Sequence, residues 1–372
     1  MAAVVLPTLN CLQRGQVGVL KLYLLLLGVR LVLTCRSGWM CLAGGLILVL
    51  PAVMKIIPAV PAGVFLLAIA GSAWAAGKRG AAATQQIDRS ESQFADRTTS
   101  PVGRASMALA GAAAGMLLFT LVAPGMVLGW KKNLDHLKTW AELMLAKADD
   151  GGLDPRSGNS RSARNQSLHN AVVRLGNFAM YLAGAGPDDQ DVPLTAQQPL
   201  PPMPMDHPAA QYSLILARAV LCAAVLIVAW RLGTVGVRLD LAVAFALGCV
   251  AMLVISPVAR GHYFMLYAPA VVFLPLWLQR HGDPKLWGTP VAGVLAVTPA
   301  LLVVAHYSLL PVAGRVGLLG LGTAAWLLTA LVTCDRLMAV SRNRTATQAT
   351  GERVCLLRPN AAEVPRPRQA AA

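Results

Sequence analysis

Nine apolar runs decide what this chain can fold into. They are Val17–Thr34, Trp39–Ile57, Ala59–Ala76, Ala105–Val127, Ser213–Trp230, Leu239–Ile255, Tyr263–Leu278, Val291–Ala305 and Val316–Met338. A helix that crosses the hydrocarbon core of a bilayer needs about 20 mostly apolar residues. In lipid the backbone must satisfy its own hydrogen bonds, and a continuous helix does so. The runs therefore predict an all-α fold: one polytopic transmembrane bundle of about nine spans covering residues 1–372. Charged residues make up only 13% of the chain, about half the usual share of a soluble domain. That deficit excludes a water-soluble reading of the same length.

The net charge is +15. Such a balance can signal nucleic-acid binding, but here the cations fall between apolar runs, so membrane lipids are the expected partners and no nucleic acid is. Lys and Arg concentrate in short cytoplasmic loops. Arg36 follows the first run, and Lys78, Arg79, Arg89, Arg97 and Arg104 lie around the loop after the third. Arg231 and Arg238 follow the fifth, Arg280 and Lys285 the seventh, and Arg336, Arg342, Arg344, Arg353 and Arg358 the ninth. All belong to alternate connections, so one orientation accommodates them. It places the N-terminus outside and the C-terminus in the cytoplasm of a bacterial inner (plasma) membrane protein. Loop 78–104 and tail 339–372 are then cytoplasmic, polar and expected to lack fixed structure. An outside N-terminus without a basic, signal-like start predicts an upstream-encoded segment that supplies an odd number of helices.

The longest connection, 128–212, then lies outside. Two stretches in it repeat apolar residues at helical spacing, Lys131–Ala148 and Asn165–Leu182, and predict amphipathic helices on the membrane surface or over a cavity. Pro187–Pro208 reads as an extended linker. The seven cysteines form no C-x-x-C pair and read as small buried side chains. No H-E-x-x-H, phosphate loop or G-x-S-x-G elbow is present, and no metal is expected.

Polar residues beside membrane spans are costly and mark candidate sites. Gln16 opens the first span and Lys55 ends the second. Asn165, Gln166 and Ser167 open the second amphipathic stretch. Ser256, Pro257, Arg260, His262 and Tyr263 form the turn between the sixth and seventh spans. Helix parity puts all four groups on the outer face. Each also has an ordinary reading: Gln16 as an interfacial cap, Lys55 as a snorkelling side chain, Asn165 or Ser167 as an N-cap, and Arg260 with His262 as a headgroup anchor. Asp240 and Asp335 sit at inner ends, and no acid stands out as a general base.

Laid out in this order, the chain resembles the polytopic glycosyltransferases of family 87, the bacterial C-type mannosyltransferase-like enzymes. The markers are Arg14-Gly15-Gln16-Val17, Lys55 with Pro58, Asn165-Gln166-Ser167-Leu168, and Ser256-Pro257 followed by His262-Tyr263 and Pro269. Leu128-Gly129-Trp130 with Trp140 is similar to the family's helix-to-loop junction. The resemblance implies transfer of a hexose, mannose in the first instance, from a polyprenyl-phosphate donor to a lipid-linked or polymer glycan acceptor on the outer face. The donor is a substrate, and no cofactor is implied. Lys55, Arg260 and His262 would hold the donor phosphate. Gln16, Asn165 and Gln166 would contact sugar hydroxyls or position the roof, with Tyr263 beside them. The family's catalytic acid in a first outer loop has no counterpart here, so the catalytic residue is unknown and the chain is expected to be the C-terminal part of such an enzyme. Two other readings compete: a noncatalytic membrane subunit, and a lipid-carrier transporter or flippase, which inverted repeats would mark.

Overall fold

The computed structural model describes residues 7–9, 18–34, 37–54, 58–83, 100–149, 167–168, 171–172, 208–256, 259, 261–281, 289–308 and 318–356. Among them there is no strand. The helices are α1 (Gly18–Thr34), α2 (Gly38–Met54), α3 (Ala59–Ala83), α4 (Pro101–Leu128), α5 (Trp130–Asp149), α6 (Pro208–Val235), α7 (Arg238–Ile255), α8 (Ala268–His281), α9 (Thr289–Ser308) and α10 (Leu318–Leu356). A 3₁₀ turn, Gly261–Tyr267, leads into α8. Five helices contain segments long and apolar enough to cross a membrane: Ala59–Lys78, Pro101–Leu128, Tyr212–Val235, Arg238–Ile255 and Leu318–Val340. The chain is a helical membrane protein.

Helix α7 is the axis of the bundle. Every residue from Asp240 to Val254 is buried. Its neighbours α3, α6, α8 and α10 shield it from lipid on all sides, which explains why it is apolar all round rather than striped. Phe65 of α3 meets Phe245 of α7 edge-on at 6.1 Å. The outer helices show the opposite pattern: Ile215, Leu216, Val220 and Ile227 of α6 are exposed on the face that lipid would cover.

Lipid is as apolar as leucine, so spans associate through close packing of small residues rather than by burial from water. Helices α2 and α4 show this most clearly. A Cβ on Gly45 would run into the Ala108 carbonyl oxygen, and one on Gly111 into the Leu42 carbonyl oxygen. Gly38 lies by Met107 and Gly115 by Leu46 and Val49, so α2 and α4 run parallel. Gly28 sits against Leu48, and Gly44 against Val32, so α1 and α2 run antiparallel. On the far side Gly322 meets Leu302 while Trp326 meets Leu295, so α9 and α10 are antiparallel. These directions agree with an up-and-down path.

Prolines inside helices leave carbonyls without their intrahelical partner, and at two of them, Pro299 and Pro124, a side chain supplies the missing donor. Pro299 has no N–H for the carbonyl of Leu295, four residues earlier. The Trp326 indole N–H donates to that oxygen at 2.8 Å from α10. Pro124 does the same to Thr120, inside a segment widened to a π-turn over Leu118–Val122. There the buried Asn133 side chain donates to the Thr120 oxygen at 3.1 Å and to the Leu121 oxygen at 3.3 Å. Gly129, at φ 87, makes the reversal that brings α5 back onto α4. Threonine hydroxyls are satisfied within their own helices; Thr329 and Thr333 each donate to the carbonyl four residues back.

Two expectations need correction. Cys41 is disulfide-bonded rather than a free buried thiol; its partner is none of Cys222, Cys249 and Cys334, which are free. Helix α10 continues through Leu356, so part of the tail 339–372 is helical. The span has already met the cost of nucleation, and Arg, Ala, Gln and Leu extend a helix cheaply.

If Trp326 substitutes for the N–H that Pro299 lacks, Trp326→Phe should cost about 1–3 kcal/mol through the orphaned carbonyl. Pro299→Ala, which restores the N–H, should recover part of that loss in the double variant. Thermal unfolding of the four proteins in detergent measures it, and purely additive effects would contradict the coupling.

Candidate functional site

The predicted outer site falls mostly outside the described residues. Gln16, Lys55, Asn165, Gln166 and Arg260 all lie outside them, as does most of the amphipathic stretch Asn165–Leu182. For His262 only the backbone is described, as the second residue of the 3₁₀ turn. Tyr263 follows it, partly buried and packed against the core.

The described residues next to these positions are buried in the bundle. Helix α7 stops at Ser256, whose N–H closes the last turn on the Met252 carbonyl. Ser256 is 8% exposed and Ala259 fully buried, so the chain after α7 folds inward rather than out to water. The 3₁₀ turn then sinks Phe264 and Tyr267 completely. Tyr267 stands edge-on to Trp326 at 5.5 Å, which fixes the turn against α10. Ser167 and Ala171 of the long loop are also fully buried, and Leu168 packs against the same core. Thus the segment just after Asn165-Gln166 and the one around His262-Tyr263 are both tucked into the bundle.

Helix α5 is the amphipathic helix expected over Lys131–Ala148. Leu134 and Trp140 remain exposed. The helix packs on the end of α4, where Asn133 and the Trp130 ring against Gly125 anchor it. Lys138 and Glu142 form an exposed pair at 4.0 Å on its polar face.

A second cluster lies at the opposite end, and it is better defined. Asp240, in the first turn of α7, is fully buried. Its Oδ1 accepts a hydrogen bond from the Trp277 indole at 2.5 Å. His281 Nε2 lies 3.4 Å from the same oxygen, an electrostatic contact without hydrogen-bond geometry, and Asp240 Oδ2 has no partner. The Trp277 and His281 rings stack at 4.8 Å, one turn apart on α8. Nearby, the Arg231 guanidinium of α6 donates to the Asp335 carboxylate of α10. Side-chain polar contacts thus join α7 to α8 and α6 to α10. The arrangement can tie α7 to α8 and hold charge in a protected place. It offers no metal site: among the described residues no group of three or more His, Cys, Asp or Glu could hold an ion.

The sequence pattern puts Asp240 at the start of an apolar helix, as observed, but assigns it no role. The signal was present: an acid opening an apolar helix, and a Trp and a His four residues apart at the end of another.

No known protein family, curated protein or solved structure matches the chain.

The Asp240 carboxylate gives a direct stability test. Asp240→Ala strands the buried Trp277 N–H and should destabilise the protein by about 3 kcal/mol. Asp240→Asn keeps an oxygen for Trp277 and should cost clearly less. Chemical unfolding in mixed micelles reads both values, and equal costs would show that the indole hydrogen bond carries no stability.

Proposed function

We propose that this protein is a membrane glycosyltransferase, or the C-terminal part of one, acting on a polyprenyl-phosphate hexose donor at the outer face of a bacterial plasma membrane. The observation that carries the reading is the grouping of its costly polar residues. Gln16, Lys55, Asn165, Gln166, Arg260, His262 and Tyr263 share one side of the membrane under an alternating nine-span path. Ser256 and Ala259, on the approach to Arg260, and Ser167 and Ala171, just after Gln166, are buried rather than left in water, which favours a built cavity over separate headgroup anchors.

In this reading Lys55, Arg260 and His262 neutralise the donor phosphate, and Gln16, Asn165 and Gln166 bind sugar hydroxyls. A phosphate held by cations in a water-poor site is a better leaving group, because the charge growing on it is stabilised there. Helix α5, with its uncovered apolar side chains, lies on the lipid surface beside the entrance. The bundle spans the membrane nine times, with its C-terminus inside. The Cys41 disulfide pulls against this orientation. It belongs to the end of α2 that the basic residues place inside, and disulfides persist in oxidising compartments.

A noncatalytic subunit is the second reading, favoured by the lack of an acid among the outer candidates. The two are separated by glycosyl transfer from labelled polyprenyl-phosphate sugars, using the full chain in lipid. Lys55→Ala and His262→Ala should each lower transfer at least about tenfold if they touch the donor phosphate. Donor binding that depends on Lys55, without transfer from any donor, would instead make the chain a donor-holding subunit.

A further inference from the structure

Arg218 is the one charge set well inside the apolar run of α6. The buried face of that helix is formed by Leu214, Val225, Val228, Ala229 and Leu232, with Leu221 packed against the core. Arg218 falls on this face, one turn after Leu214, opposite the exposed Ile215, Leu216 and Val220. Its side chain therefore turns toward protein and not toward lipid. Its Nε and Nη2 atoms are shielded from solvent and have no hydrogen-bond partner.

No carboxylate of the described chain answers this charge. Asp240 and Asp335 belong to the cluster by the α6–α7 turn, and Asp335 already holds Arg231. Arg218 is eighteen residues before Gly236 in that turn, about 27 Å along the helix. Asp135 and Glu142 lie on α5, outside the core of the bundle. A shielded, unpaired guanidinium costs several kcal/mol in a low-dielectric interior, and proteins keep such a group where a counter-charge arrives.

Depth identifies the anion. The hydrocarbon core is about 30 Å thick, so Arg218 lies just inside its boundary at the end opposite the α6–α7 turn. Ser256, nineteen residues after Val237 on the other arm of the hairpin, stands at a similar level. A lipid phosphate reaches this depth with little displacement, whereas a soluble anion must give up its water to do so. The planar guanidinium can offer Nε–H and Nη2–H together to two phosphate oxygens.

We propose that Arg218 binds the phosphate of a membrane lipid, entering between α6 and its neighbours at that end of the bundle. The inference holds for any phosphate-bearing lipid and does not require sugar transfer.

The test uses the full chain in nanodiscs of a neutral, phosphate-free galactolipid, with Arg218→Met and Arg218→Lys beside it. Polyprenyl phosphate, phosphatidylglycerol or inorganic phosphate is titrated in, and bound lipid is counted by native mass spectrometry with the unfolding midpoint as a second readout. The wild type should bind polyprenyl phosphate or phosphatidylglycerol and be stabilised by it. Arg218→Met should weaken binding at least about tenfold, and Arg218→Lys should restore part of the loss. A stronger response to polyprenyl phosphate names the isoprenoid carrier as the ligand; an equal response names bulk phospholipid. Without anionic lipid, Arg218→Met should be no less stable than the wild type, because it removes an unpaired charge. Binding unaffected by Arg218→Met would overturn the proposal. So would a Met variant clearly less stable in neutral lipid, or an Arg218-dependent response to inorganic phosphate alone. Arg218-dependent lipid binding without glycosyl transfer would refute the enzyme reading only; transfer with Arg218-independent binding would refute this inference only.

Discussion

Backbone hydrogen bonding without water is the constraint on which the rest of this structure depends. Inside a bilayer an unpaired carbonyl has no solvent to turn to, so each helix must close its own ladder or borrow a donor. Most of the chain takes the first course. Around Pro124 and Pro299 it takes the second, with Asn133 and Trp326 as the borrowed donors. Each loan joins two elements: Trp326 ties α10 to α9, and Asn133 ties the surface helix α5 to the end of α4. The helix breaks that lipid makes costly are thereby turned into points of attachment.

Packing follows from the same absence of water. With no hydrophobic drive between spans, backbones must approach closely to gain dispersion contacts, and glycines at α1–α2, α2–α4 and α3–α6 permit it. The position of each apolar run was legible in the sequence, because length and hydropathy are local properties. Which run would be central was not. Helix α7 resembles its neighbours in composition, and only assembly shows it enclosed on all sides. The proline partners were equally hidden, since Trp326 and Leu295 meet only after α9 and α10 pack. The helical extension to Leu356 escaped notice because polar composition alone does not stop a helix that is already formed.

The candidate site divides along similar lines. Polar residues at span ends could be sorted by parity, which groups Lys55, Asn165 and His262 on one face from sequence alone. Their mutual geometry lies outside the described residues; beside them, Ser167, Ala171, Ser256 and Ala259 are buried. Arg218 stood in plain view inside an apolar run, but its importance depends on which way the side chain turns. Asp240 with Trp277 and His281 needed three helical registers at once.

Single-cysteine labelling with a membrane-impermeant maleimide on intact cells tests the central claim most directly, namely that the candidate residues share one face of the membrane. Asn165→Cys and Arg260→Cys are expected to react from outside, while Arg238→Cys and Lys285→Cys should react only after the cells are opened. A split in which Asn165→Cys and Arg260→Cys label from opposite sides would contradict a shared site and the nine-span path together.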